Sequence, residues 1–447
     1  MLAVRGRGPS TPLRAGPSTL PLAYFALAHL SLALGLAILA IDPRLPGAFF
    51  YHPRMIAVVH LLTLGWITAS ILGAFYIVGP YALGMTMTVT RRDWIGFAAF
   101  WLGVTGMVTH FWMASYDGMG WSATLVIGAI ANLAPRGCHG ISCSVPWAIR
   151  VHVRLAFSNM LFAGLLGVII AFDKSRGIIG ISPLSATFAH AHLAAVGWGV
   201  MMVMGLSQRL VPMMLPAAPP RGRLAAAPAV LVETGLVLLV PSLIFQWPLV
   251  LPAAAITTAG LGAFALLLLR TAVARLPRPP ALPVRDWSVW QVHASFAWLL
   301  VAVVLGLYLS RAGVSALQAA WVYGVAGLMG FLAQVISGMH GRLLPFHAWH
   351  LASVHGRPRR SAHALIDPRL ASIVFWCWNL GLPALGAGLA MSHAGLIRIS
   401  TLLLLAGLAA GALHSVTMLL GAFRAIRKDP DASASRSPRA SVTHHAH

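Results

Sequence analysis

The chain has 447 residues, 58% of them hydrophobic and only 9% charged, where soluble domains carry about a quarter charged. Apolar runs of about 20 residues, each enough to cross a hydrocarbon core of about 30 Å, follow one another along nearly the whole length. They do not alternate apolar with polar positions, which excludes an outer-membrane barrel. The net charge of +22 is divided among short segments between the runs, so it signals topology in a lipid bilayer rather than a nucleic-acid partner.

In chain order, residues 1–19 read as a flexible tail. Apolar spans are then expected at 20–41, 55–80, 94–114 and 120–134, at 153–172, 184–212, 226–246 and 248–269, and at 289–310, 317–345, 370–391 and 396–423. Residues 426–447 form a second tail. Residues 20–425 are therefore expected to be an all-α polytopic membrane domain of about 12 transmembrane helices. Most basic residues, among them Arg5, Arg7, Arg14, Arg91, Arg92, Arg136, Arg221, Arg223, Arg357 and Lys428, fall on one side of these spans. The other side keeps Arg44, Arg54, Lys174, Arg176, Arg311 and Arg398, so both termini are expected in the cytoplasm. Three cysteines exclude a disulfide framework, and "RGCHGISCSVPW" offers too few ligands for a thiolate metal site.

Two spans share a skeleton. "HLLTLGWITASILGAFYIVGP" and "HLAAVGWGVMMVMGLSQRLVP" place Gly65, Trp66, Gly73 and Pro80 at the same offsets from His60 as Gly197, Trp198, Gly205 and Pro212 from His192. Gly330, Gly338 and Pro345 keep those offsets from Val325, where the histidine is lost. Phe25, Phe157 and Phe296 each stand ten residues before a glycine in the preceding span, which suggests that the repeat includes that helix. The repeat units are about 20–134, 153–269 and 289–423, expected as three pseudo-symmetric four-helix arcs. At about 100° per residue both glycines and the proline lie on one stripe, roughly opposite the histidine. That stripe is the expected packing seam, because small residues let helix backbones approach. The proline is expected to end each helix.

An ionisable residue inside a membrane helix is a functional-site candidate by default. His60 and His192 lie at equal depth, each serving either as a ligand to haem iron or copper or as an interhelical hydrogen-bonding group. His190 points about 200° away from His192 on the same helix. With His29 and His110 it is a further candidate metal ligand. His340 and His414 read as packing or proton-path residues. His347, His350, His355 and His363 read as a solvated basic loop, and His52, His152, His293 and His393 as interfacial groups. Glu233 is the one acidic residue well inside a span, a candidate for a proton path or a structural hydrogen bond.

With those three repeat helices, including "GFLAQVISGMHGRLLPFHAWH", the chain resembles the heme–copper oxidase subunit I superfamily, and within it the NnrS-type and oxidase-subunit-I-like proteins. The resemblance implies His60 as a haem ligand and His192 or His190 as a metal ligand. It also implies a bacterial inner-membrane protein with haem and/or copper, linked to nitric oxide stress or respiratory metal handling. Respiratory or denitrification membrane proteins are the implied partners. The family's paired histidines of helix 10 are replaced by Val325, Ala326 and Gly327, and helix 7 carries no histidine. A complete oxygen- or nitric-oxide-reducing centre is therefore not expected, and no catalytic residue is assigned. Other readings of the same residues are a proton-coupled metal or solute transporter, with Glu233 and the histidines as relay, and a cofactor-free assembly factor.

Overall fold

The computed structural model describes residues 18–48, 50–180, 182–277, 286–312, 316–354 and 361–424. The C-terminal tail and nearly all of the N-terminal one lie outside these residues, as does His355. Among the described residues there is no strand. Twelve long helices follow in the expected order: α1 Leu20–Ile41, α2 Pro53–Ala82, α3 Arg91–Trp112, α4 Tyr116–His139, α5 Trp147–Arg176, α6 Pro183–Met214, α7 Ala227–Phe245, α8 Val250–Val273, α9 Trp287–Ala312, α10 Leu317–Ser353, α11 Pro368–Ala390 and α12 Ala394–Arg424. Eleven of these helical stretches are long and apolar enough to cross a membrane, so this is a multi-pass membrane protein. The remaining one, α4, has 24 residues but carries Asp117, Asn132, Arg136 and His139, which lower its apolarity.

The ends of the helices are set locally. Pro21, Pro53, Pro183 and Pro368 sit in first turns, where a missing N–H costs nothing. Thr90 and Asp93 form a capping box at α3. Asp93 is 1% exposed and also accepts from the Tyr76 hydroxyl at 2.8 Å while pairing with Arg136, tying α2, α3 and α4 together.

The three repeat helices share an unexpected feature. Each becomes π-helical immediately at or after its repeat origin, over Leu61–Thr68 in α2, Leu193–Val200 in α6 and Val325–Ala333 in α10. Runs of π-helix are rare and tend to mark functional positions, so three in register extend the repeat from sequence to backbone. The three π segments touch one another. Trp66, Trp198 and Phe331, all six residues past their origins, are 1%, 2% and 0% exposed, and each ring packs against the helix before its own, on His29, Phe157 and Phe296. The Trp198 indole donates to Thr68 Oγ1 at 3.1 Å, and the Trp66 indole donates to the Ala333 carbonyl at 3.4 Å. Both bonds run from position +6 of one copy to position +8 of the preceding one, counting round the ring.

Packing recurs in the same order. Each repeat helix lies on the helix before it, α2 on α1, α6 on α5 and α10 on α9. Helix α4 packs on α5, α8 on α9, and α12 closes back on α1. The glycine seam forms as expected. A Cβ on Gly65 would sit 2.3 Å from Ser31 Cβ, one on Gly197 2.8 Å from Asn159 Cβ, and one on Gly330 2.4 Å from the Trp298 ring.

Four expectations need correction. These glycine contacts put Ser31, Asn159 and Trp298 at equivalent places, so His29, not Phe25, matches Phe157 and Phe296; the first helix is shifted by one turn. The prolines do not end their helices: α2 and α6 run two residues further, and α10 runs eight residues past Pro345, to Ser353. The segment around His347 is accordingly helical rather than a solvated loop. His347 is 6% exposed with Nε2 3.1 Å from the Ser18 carbonyl, and His152, expected at an interface, is fully buried beneath Gly205.

Candidate functional site

His60 and His190 face each other across the boundary between the first two repeat units, their ring centroids 6.4 Å apart and their planes inclined by 20°. Phe111 of α3 flanks His60 at 4.8 Å. Each imidazole is oriented by its own backbone bond. His60 Nδ1 donates to the Ile56 carbonyl one turn back, at 2.9 Å, and His190 Nδ1 donates across to the Ala163 carbonyl of α5, also at 2.9 Å. Gly167 makes room for the His190 ring, since a Cβ there would come within 3.0 Å of Cε1. With Nδ1 committed as the donor, Nε2 of each ring is the atom left to accept a proton or bind a metal. A ring N–H held by a backbone carbonyl is the usual setting of a metal-binding histidine.

His192 does not join this pair. Its Nδ1 donates to the Phe188 carbonyl at 2.8 Å, and its Nε2 is engaged 3.2 Å from the hydroxyl of Tyr323 in α10. His60 and His192 stand at equivalent repeat positions, but their partners differ. Tyr323 was not anticipated from sequence. Its signal was available, because it stands two residues before Val325 as His190 stands two before His192.

The remaining candidates are dispersed. His29 donates from Nδ1 to the Phe25 carbonyl at 2.8 Å and stacks on His340 with centroids 5.5 Å apart. His110 packs against Gly118, and its Nδ1 has no hydrogen-bond partner. Glu233 accepts from Asn159 Nδ2 at 2.8 Å, and the same amide donates to the Gly197 carbonyl at 3.2 Å. Glu233 is thus joined to the seam between α5 and α6 and not to any of the histidines.

The donor sets decide which group fits. Among the described residues no three His, Cys, Asp or Glu side chains converge on one point, so a three-histidine copper site is not built here. A centre needing only two imidazoles is the one that His60 and His190 could supply: with both Nε2 atoms turned toward one ion, metal–nitrogen bonds of about 2 Å plus a ring radius behind each nitrogen would span roughly 6 Å between centroids, against 6.4 Å here. No protein-family model matches the chain, and no curated protein matches it either.

Proposed function

We propose that this is a bacterial inner-membrane protein with twelve crossings in three pseudo-symmetric arcs, both termini cytoplasmic, that binds haem or copper through His60 and His190. The single observation that carries the reading is the pairing of these rings from different repeat units, each with Nδ1 tied to a carbonyl and Nε2 free. The resemblance to the oxidase scaffold supports His60 as the principal ligand, and of the two histidines it allows as the second, His190 is the one that stands against His60 while His192 is bonded to Tyr323. Held there, haem iron or copper would supply one-electron chemistry or a seat for a small diatomic ligand such as nitric oxide. The protein's own part is to orient the two imidazoles through their Nδ1–carbonyl bonds and to flank the site with Phe111.

The experiment is optical and elemental. Protein purified from membranes should show a Soret band or bound copper, and His60→Ala and His190→Ala should each remove it while His192→Ala should not. Protein without haem, copper or iron, or a signal indifferent to both substitutions, would sink the proposal.

A further inference from the structure

The three-fold equivalence exposes a second pair of histidines where a neighbouring boundary uses carbon. Between the first and second units, Phe157 of α5 packs at 5.3 Å on Phe75 of α2 and at 5.3 Å on Trp198. The equivalent places between the third and first units are His29 of α1 and His340 of α10. His29 lies 5.5 Å from His340 and 5.1 Å from Trp66. The same slot therefore holds two phenylalanines in one copy and two imidazoles in another. Packing alone does not ask for the exchange, since the phenylalanines satisfy it.

The imidazoles are not satisfied by protein. His340 is 6% exposed, and neither of its ring nitrogens has a hydrogen-bond partner. Whichever tautomer it adopts, one N–H donor and one bare nitrogen remain. Beside it lies a cavity with ≈ 50 Å³ of space for the centres of water-sized molecules, lined by His29, His340, Trp66, Gln291, Ser415 and Met418 among others. Gln291, 2% exposed, adds an unpartnered Nε2 donor to the same space. Buried polar groups are almost always hydrogen-bonded, and this volume holds about three to five waters. The lining of the cavity includes Trp287 and Ser288, in the first turn of α9, Trp66 in mid-helix, and His414 of α12, whose Nε2 accepts from the Asp367 amide at 2.9 Å. Next to the lining residues Trp287 and Ser288, Asp286 accepts from the Ser288 amide at 3.1 Å and pairs with Arg342.

We propose that this cavity is a hydrated half-channel in which a short file of water molecules, bound to His340, His29 and Gln291, lets the two imidazoles exchange protons with the aqueous phase at the Asp286–Arg342 end. Water satisfies both nitrogens of His340, whereas a metal ion would satisfy one and leave the other N–H without an acceptor. The half-channel stands apart from the His60–His190 pair and does not depend on a cofactor there.

Radiolytic hydroxyl-radical footprinting of the full chain in lipid nanodiscs tests it, because radicals formed from bound water oxidise the side chains around them. Met418 at 2% exposure and His340 should be oxidised at least several-fold faster than Met202 and Met204, which are 0% exposed and lie outside the cavity. His340→Phe, which copies Phe75, should slow oxidation of Met418 several-fold and leave exposed Met113 and Met391 unchanged. Oxidation of Met418 and His340 in the native chain no faster than that of Met202 would overturn the proposal without recourse to any variant. A stoichiometric loss of bound copper in His340→Phe would also overturn it, by assigning the two rings to a metal.

Discussion

Tyr323 occupies against His192 the place that His190 occupies against His60: its hydroxyl lies 3.2 Å from Nε2, with ring centroids 6.1 Å apart. Both are contacts between the origin of one copy and the residue two before the origin of the next. A hydroxyl partner turns one boundary into a closed hydrogen bond, while an imidazole partner leaves the other with two free nitrogens. The third boundary would pair Val325 with Val58, and both of these are buried and apolar. Three equivalent positions thus carry three chemistries, and only one of them offers two ligands.

This distinction gives the first prediction. Tyr323→Phe deletes one buried hydrogen bond and should lower stability by about 1 kcal/mol. Thermal unfolding in detergent reads that loss, and haem and copper content should stay at the native level. His190→Tyr copies the second boundary onto the first, so it should preserve the fold and remove the bound group. A His190→Tyr protein that keeps full cofactor content would show that the pair is structural.

The glycine seam is open to a compensation test. Gly65→Ala places a Cβ 2.3 Å from that of Ser31, a contact that helices relieve only by moving apart. Overpacking of this kind costs about 1–3 kcal/mol. Ser31→Gly in the same chain should restore most of the lost unfolding temperature, and a double mutant with merely additive losses would place the clash elsewhere.

How far the sequence could be read follows from what kind of signal each feature leaves. The spans and the seam were legible because hydropathy and glycine spacing act locally, within one helix. The register of α1 was misread by a turn, because Phe25 and His29 are one turn apart on similar faces and only contact with Gly65 and Trp66 separates them. The partner of His60 was not legible for a related reason. A helix angle says that His190 and His192 point to different sides, but not which side faces the first unit. That depends on the order in which the arcs close, which no single helix encodes. For His340 the sequence leaves packing and a proton path side by side, and its want of a hydrogen-bond partner is visible only in three dimensions.

Glu233 separates a relay from a structural bond. Glu233→Gln keeps an acceptor for Asn159 Nδ2, now 2.8 Å from the carboxylate, but cannot titrate. The variant should match the native chain in unfolding temperature and in cofactor content. Glu233→Leu removes the acceptor and should cost about 1–3 kcal/mol. Loss of metal-dependent uptake into proteoliposomes by Glu233→Gln alone would instead establish a proton-coupled transporter.

The final prediction concerns pH at the edge of the half-channel. His363 lies outside the membrane spans, in the short helix Ala362–Leu365, with Nδ1 3.2 Å from Nη1 of Arg342. Burial, and then the charge of Arg342, hold its pKa below the ordinary 6.5. The unfolded chain therefore binds this proton more readily than the folded one does. The contribution to stability is complete above the unfolded value and is lost as pH falls below it, towards the lower folded value. Protonation there also sets a second cation against Arg342, whose only carboxylate partner among the described residues is Asp286. Moving from about pH 7.5 to about pH 5.5 should lower the unfolding temperature of the native protein more than that of His363→Gln. Equal shifts in the two proteins would mean that the Arg342 contact does not perturb His363 in solution.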